Sequence, residues 1–177
     1  MDTCVKQRVS RCVENFRLPR YDQLPAMGLY LEQATKYISD QLSALAGVEI
    51  TSSMISNYVK KGLVDKPIRK QYSRSQIAYL MYIAVIKTAL SMEDIGLTVR
   101  IQKASYSEQV AYDYFCSELE NVLEFVFGLK NDIAVIGVEE TDEKIMLRNT
   151  IITVAHKVYL TALLAELREE REKQKNA

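Results

Sequence analysis

Between residues 50 and 74 six basic side chains, Lys60, Lys61, Lys66, Arg69, Lys70 and Arg74, stand against one acid, Asp65. Lysine and arginine at that density do one kind of chemistry well: they neutralise a row of phosphates and release the counterions held there. Just before them, residues 52–61 sort at 100° per residue into two faces. Ile55, Tyr58 and Val59 form one, with Met54 at its edge, and Ser53, Ser56, Asn57 and Lys60 form the other. Hydroxyls, an amide and an ammonium hydrogen-bond base edges and phosphate oxygens, and no carboxylate sits among them to repel a polyanion. An ordinary solvated helix and loop have the same composition, so the residues after the helix must decide between the two.

Those residues are specific. Gly62 ends the helix, and Leu63-Val64 and Gln71-Tyr72 are expected to pair as two short strands around residues 65–70. Pro67 stiffens the tip, while Lys66, Arg69 and Lys70 make it cationic. Arginine can grip a phosphate with a two-pronged fork and lysine acts as a point charge. A basic hairpin directly after a polar-faced helix reads as the wing and recognition helix of a helix-turn-helix module.

Other reactive constellations are sparse. Cys4, Cys12 and Cys116 are odd in number, widely spaced and without a CxxC pair, which argues against a disulfide framework and a structural zinc site. Cys116 with the single histidine, His156, could form a Cys-His pair, and Glu118 with Glu120 an acid–base pair. No nucleophile elbow, phosphate-cradling glycine loop or metal spacing surrounds them. Cys116 lies among aromatics and reads as a small buried hydrophobe, His156 as a packing or surface residue. The expectation is neither an enzyme nor a metal or cofactor protein.

The elements that position these residues follow from caps and periodicity. Residues 1–17 carry Val5, Val9, Cys12, Val13 and Phe16 at helical spacing, and the prolines at 19 and 25 then break the chain. This arm, 1–26, could pack on the module, reach a partner, or touch DNA through Arg17 and Arg20. A helix is expected over 27–46 through Leu31, Ala34, Ile38, Leu42 and Leu45, closed by Gly47. Thr51 or Ser52 caps the polar-faced helix. Ser73-Arg74-Ser75-Gln76 is a capping box opening an almost wholly apolar helix over 77–90. Ser91 caps a further helix to about 103, with Glu93 and Asp94 in its first turn. After Ala104 the chain turns acidic and aromatic. Residues 110–127 carry Tyr112, Phe115, Leu119, Val122, Val126 and Phe127 as apolar positions; a connector over 128–140 with a short strand at 133–138 and a long helix over 142–172 are expected.

Composition agrees with a mainly α protein: 48 % hydrophobic residues supply a core, and six glycines and three prolines favour long elements. Net charge is zero, yet residues 1–105 carry 15 basic and 9 acidic side chains (+6) and residues 106–177 carry 8 and 14 (−6). The longest purely apolar run, 77–86, is ten residues, too short for a bilayer. Residues 1–20 lack a signal-peptide pattern, so a cytoplasmic location is expected.

The stretch 54–77, MISNYVKKGLVDKPIRKQYSRSQI, resembles the MerR-like winged helix, with Tyr58, Gly62, Leu63, Pro67, Lys70 and Tyr72 at the matching places. Leu90 to Ile95, LSMEDI, is similar to a later segment of that family, and the likeness covers about 36–103. The pattern over 18–33, LPRY…LP…LYLEQ, also resembles an uncharacterised bacterial family, a domain of unknown function usually described as MerR-like. The resemblance implies a winged helix-turn-helix DNA-binding domain over 27–104 and a C-terminal helical region, 105–177, for dimerisation or effector binding. Three departures stand out: Ser56-Asn57 replaces the usual Arg-Tyr, Lys70 replaces the wing arginine, and 47–55 is about two residues longer than the family turn.

Together these imply a transcriptional regulator that binds double-stranded DNA sequence-specifically as a homodimer. The DNA-contacting set is Ser53, Ser56, Asn57, Lys60, Lys61, Lys66, Arg69, Lys70, Tyr72 and Arg74. An unidentified small-molecule effector could sit in a cavity lined by Tyr106, Tyr112, Tyr114, Phe115 and Tyr159. The alternative is a protein-interaction module in which the winged helix is scaffold and the acidic, Tyr-rich segment 106–127 binds a partner.

Overall fold

The computed structural model describes residues 3–137 and 141–175. Among these, seven α-helices surround one small sheet: α1 (Thr3–Arg11), β1 (Leu29–Tyr30), α2 (Leu31–Leu42), α3 (Ser52–Lys60), β2 (Gln71–Tyr72), α4 (Arg74–Ile86), α5 (Met92–Ser105), α6 (Glu108–Val126) and α7 (Asp142–Lys175). The protein is mainly helical, as the periodicity implies.

The caps hold where polar side chains could make them. Thr51 Oγ1 accepts from Met54 N at 3.2 Å at the start of α3. Ser73 and Gln76 form the reciprocal box that starts α4, and Ser91 accepts from Asp94 N to start α5. Each such cap stabilises its helix by about 1 kcal/mol. Gly62, at φ +72°, closes α3 with two bonds, Leu63 N to Tyr58 O and Gly62 N to Val59 O, each 3.0 Å. That paired arrangement needs a left-handed residue after the helix, which glycine supplies without a Cβ clash.

Three expectations are corrected. The second helix starts at Leu31 rather than 27, because Leu29 and Tyr30 are drawn into the sheet, opposite Tyr72 and Gln71. The partner of Gln71-Tyr72 is therefore β1, not Leu63-Val64, whose first amide is spent closing α3. Gly28 allows that pairing, since a Cβ there would lie 2.8 Å from Gln71 Cβ. Residues 133–137 form no strand, and 138–140 lie outside the described residues.

α4 is the hub. Every residue from Gln76 to Ile86 is buried, so α4 is a core helix on all sides. α2 packs on one flank of it and α6 and α7 on another. α1 lies against α7, where Arg8 Nε donates to Glu166 at 2.6 Å, and Ser10 Oγ ties it to the end of α6 by donating to the Phe127 carbonyl at 2.6 Å. Arm, module and C-terminal helices share one hydrophobic core, running from Val5 and Val9 through Ile55 and Leu80 to Val154 and Val158. By length and composition α7 is also the one helix among the described residues able to cross a membrane, although Ile151, Val154, Ala155 and Val158 bury one face of it in this core.

Candidate functional site

α3 is amphipathic in three dimensions as in sequence. Ile55 and Tyr58 are buried, at 0 % and 3 % exposure, whereas Ser53, Ser56, Asn57 and Lys60 are exposed. The two buried side chains fix the rotation of the helix, so its polar face must look outward. Thr35 Oγ1 on α2 lies 3.0 Å from Ser52 Oγ, tying the first turn of α3 to its neighbour. Ser56 Oγ donates back to Ser52 O at 2.9 Å, which commits its proton to its own helix. Asn57 makes no side-chain hydrogen bond among the described residues.

The loop after α3 is held at its base and free at its tip. Val64 is buried, and Gln76 Nε2 donates to Asp65 O at 2.7 Å, so the first residues of α4 anchor the loop where it leaves α3. Gly96 lets α5 approach the loop closely, since a Cβ there would lie 3.2 Å from Leu63 Cδ2. At the far end Ile68 and Gln71 bridge around a two-residue turn, with Gln71 N donating to Ile68 O at 2.9 Å. Its central residues, Arg69 and Lys70, have φ of +50° and +65°. Two consecutive positive φ values make a type I′ turn, which ordinarily carries Asn-Gly. Holding residues with a Cβ there costs about 1 kcal/mol each. The turn keeps two long cations where folding alone favours small residues. Ile68 beside them is 79 % exposed.

Lys60, Lys61, Lys66, Arg69 and Lys70 are all exposed, and none forms an ion pair or a side-chain hydrogen bond among the described residues. Tyr72 and Arg74 do not belong with them. Tyr72 is buried at 4 % exposure as the inner residue of β2. Arg74 is drawn inward, its Nη1 3.6 Å from Asp22 Oδ1 and its guanidinium 5.8 Å from the Tyr21 ring. Both support the loop rather than extend its cationic surface. Sequence spacing alone could not separate them from their neighbours, because the aromatic and the carboxylate that hold Arg74 come from residues 21 and 22.

Arg17 and Arg20 are turned to the protein. Arg20 Nη1 and Nη2 donate to the two Glu120 oxygens at 2.7 and 2.8 Å, and Leu18 N adds a third bond to that carboxylate at 2.9 Å. Arg17 Nη2 donates to Glu124 at 2.7 Å. Glu118 is fully buried and bound by Arg148 Nε at 2.5 Å. Glu118 and Glu120 thus serve two separate ion pairs. Cys116 is buried and its thiol is pushed up to about 12 by burial, far from a thiolate at neutral pH. His156 is exposed on α7.

Of the C-terminal aromatics, Tyr106, Tyr112, Tyr114 and Phe115 line a cavity between α4, α5, α6 and α7. Tyr159 does not; it stacks edge-on to Phe127 at 5.3 Å.

Residues 19–115, more than half of the chain, match the model of a family described as a domain of unknown function (DUF1836). No curated protein and no solved structure matches.

Proposed function

We propose that this chain, which belongs to the DUF1836 family, is a transcriptional regulator that binds double-stranded DNA through a winged helix-turn-helix. α2 and α3 are the helix-turn-helix, α3 enters the major groove, and the loop over 64–72 is the wing that grips flanking phosphates. The observation that carries the reading is the set of five exposed cations on and after one polar helix face, none paired among the described residues and two of them held in a costly turn conformation. A protein that wanted only a stable turn would place small residues there. Long cations at the tip suit a backbone contact, because each neutralised phosphate adds to affinity through counterion release.

A homodimer suits the C-terminal half. On the outward face of α7, Ile145, Leu160 and Leu164 are 42 %, 53 % and 48 % exposed, with Ile152, Leu163 and Leu167 half-buried beside them. From Leu160 to Leu167 the spacings are three and four, and with Ile152 and Ile145 eight and seven positions before they make an apolar stripe that a second copy could cover. Asn149, Thr153, His156 and Lys157 interleave with it, a mixture that suits a helix pair in water better than hydrocarbon. Two-fold symmetry then predicts a pseudo-palindromic site with half-sites about one helical turn apart.

The test is selection of bound sequences from random duplex DNA, followed by anisotropy titration of the winners at several salt concentrations. Saturable binding with a steep salt dependence is the expected result. Absence of binding by the full chain even at low salt would sink the reading. Light scattering of Leu160→Glu/Leu164→Glu, expected to be monomeric if the wild type is a dimer, checks the second part.

A further inference from the structure

The loop over 64–72 has an outer face that phosphate contacts do not account for. Gln71 is the middle of a row of three: it pairs with Tyr30 of β1 on one side and bridges Ile68 on the other. Residues directly opposite in an antiparallel ladder project from the same side of it, and neighbours along a strand project from opposite sides. Tyr72, next along β2, turns into the core at 4 % exposure, so Ile68, Gln71 and Tyr30 share the side away from it. Ile68 is 79 % and Tyr30 53 % exposed. The side-chain amide of Gln71 makes no hydrogen bond among the described residues.

The row is held rigidly. Pro67 fixes the backbone before Ile68, and the bond from Gln71 N to Ile68 O closes the hairpin behind it. Isoleucine, branched at Cβ, has few χ1 states to lose when something packs against it. Tyr30 leads straight into α2, so the base of the row is fixed and Ile68 is its free end.

Charge selects the occupant. Lys66, Arg69 and Lys70 around Ile68 are exposed cations that no carboxylate among the described residues answers. A polyanion answers them. Proteins that enter the minor groove of DNA combine such cations with an amide that reads A·T edges and an apolar wedge pushed between base pairs. All three stand together here. The groove is about 6 Å wide and strands of a sheet lie about 4.8 Å apart, so the whole row cannot enter an undistorted groove. Ile68 must enter first. The kink it makes opens the groove, and the Gln71 amide, one strand further in, then reaches the base edges.

We infer that this face enters the minor groove, where Ile68 wedges into a deformable pyrimidine–purine step and the Gln71 amide contacts the A·T edges beside it. The inference rests on the DNA-binding reading and adds to the phosphate grip a reading of how easily the duplex deforms.

The experiment uses the full chain and the duplex recovered by selection from random DNA. A dye at each end reads the bend by energy transfer, and 2-aminopurine in place of one adenine at a time reads loss of stacking. Binding should bring the ends together as for a kink of about 20–90°, and aminopurine should brighten at one TA or CA step for each bound copy. Replacing that step by GG should weaken binding about tenfold. Ile68→Ala, at so exposed a position, should leave the fold and the salt slope unchanged. It should abolish the kink and the brightening, and bind both steps equally. Ile68→Leu should keep all three signals. Saturable binding to DNA that stays straight and stacked would overturn the inference and leave the DNA-binding reading standing. A kink that survives Ile68→Ala would do the same, and a change of oligomeric state in that variant would give the face to a second copy. No binding to any duplex would sink both.

Discussion

Two groups of basic residues in this chain have the same chemistry and opposite commitments. In the arm, Arg17 and Arg20 are spent on Glu124 and Glu120 of α6, and Arg8 on Glu166 and Glu170 of α7. On α3 and its loop, Lys60, Lys61, Lys66, Arg69 and Lys70 have no such partner among the described residues. The first group satisfies buried or half-buried carboxylates and fastens the arm to the C-terminal helices. The second answers no carboxylate among the described residues and leaves its charge available. Counting positive residues would weigh both groups alike; asking where each charge is answered separates a structural role from a binding one.

The largest effect should come from removing the uncommitted group. Lys66→Ala/Arg69→Ala/Lys70→Ala together should lower DNA affinity by about two to three orders of magnitude near 0.1 M salt. The slope of log K against log salt should flatten by about 2.7, at roughly 0.9 per lost phosphate contact. Urea denaturation should shift by under about 0.5 kcal/mol, as for exposed residues without partners. An unchanged salt slope would remove these residues from the phosphate contacts and break the contrast.

Arg20→Ala should do the reverse. It leaves Glu120, whose side chain is 9 % exposed, without its forked partner. Breaking a largely buried pair on one side is strongly destabilising. With Arg20 itself partly exposed, about 2–3 kcal/mol is expected, or roughly 5–10 °C in the melting temperature. DNA affinity of the folded fraction should stay within about twofold. A large loss of affinity at a temperature where the variant is fully folded would put the arm in the interface.

Much of this layout is legible in the sequence because it is local. Thr51, Ser73 and Ser91 announce helix starts through bonds spanning three residues, and Gly47 and Gly62 mark left-handed positions. The polar face of α3 follows from periodicity alone. What escaped is set by residues far apart in the chain. β1 depends on Gly28 meeting Gln71, the arm on carboxylates about a hundred positions away, and the inward turn of Arg74 on Tyr21 and Asp22. The Arg69-Lys70 turn escaped for another reason, since the sequence there lacks the Asn-Gly signature its geometry calls for.

That turn offers a sharper version of the contrast, in which stability and binding move in opposite directions. Arg69→Asn/Lys70→Gly puts preferred residues at φ +50° and +65°. Relief of the strain, less the added freedom of glycine in the unfolded chain, should stabilise the protein by about 1 kcal/mol. DNA affinity should still fall by one to two orders of magnitude, with about 1.8 lost from the salt slope. If the variant is no more stable, the positive φ values carry no strain worth relieving.

The smallest effect separates two neighbours on α3. Ser56 has given its proton to Ser52 O, so as a base reader it can only accept. Asn57 has both amide hydrogens and its carbonyl oxygen uncommitted among the described residues, the set that pairs with the two major-groove atoms of adenine. Ser56→Ala should therefore change affinity by less than about threefold, and equally for every DNA sequence. Asn57→Ala should cost about 1–3 kcal/mol on the selected site and much less on random duplex, because a lost base contact removes discrimination rather than charge. The readout is the ratio of the two affinities for each variant. If both ratios match the wild type, α3 takes no part in specificity and the wing alone holds the DNA.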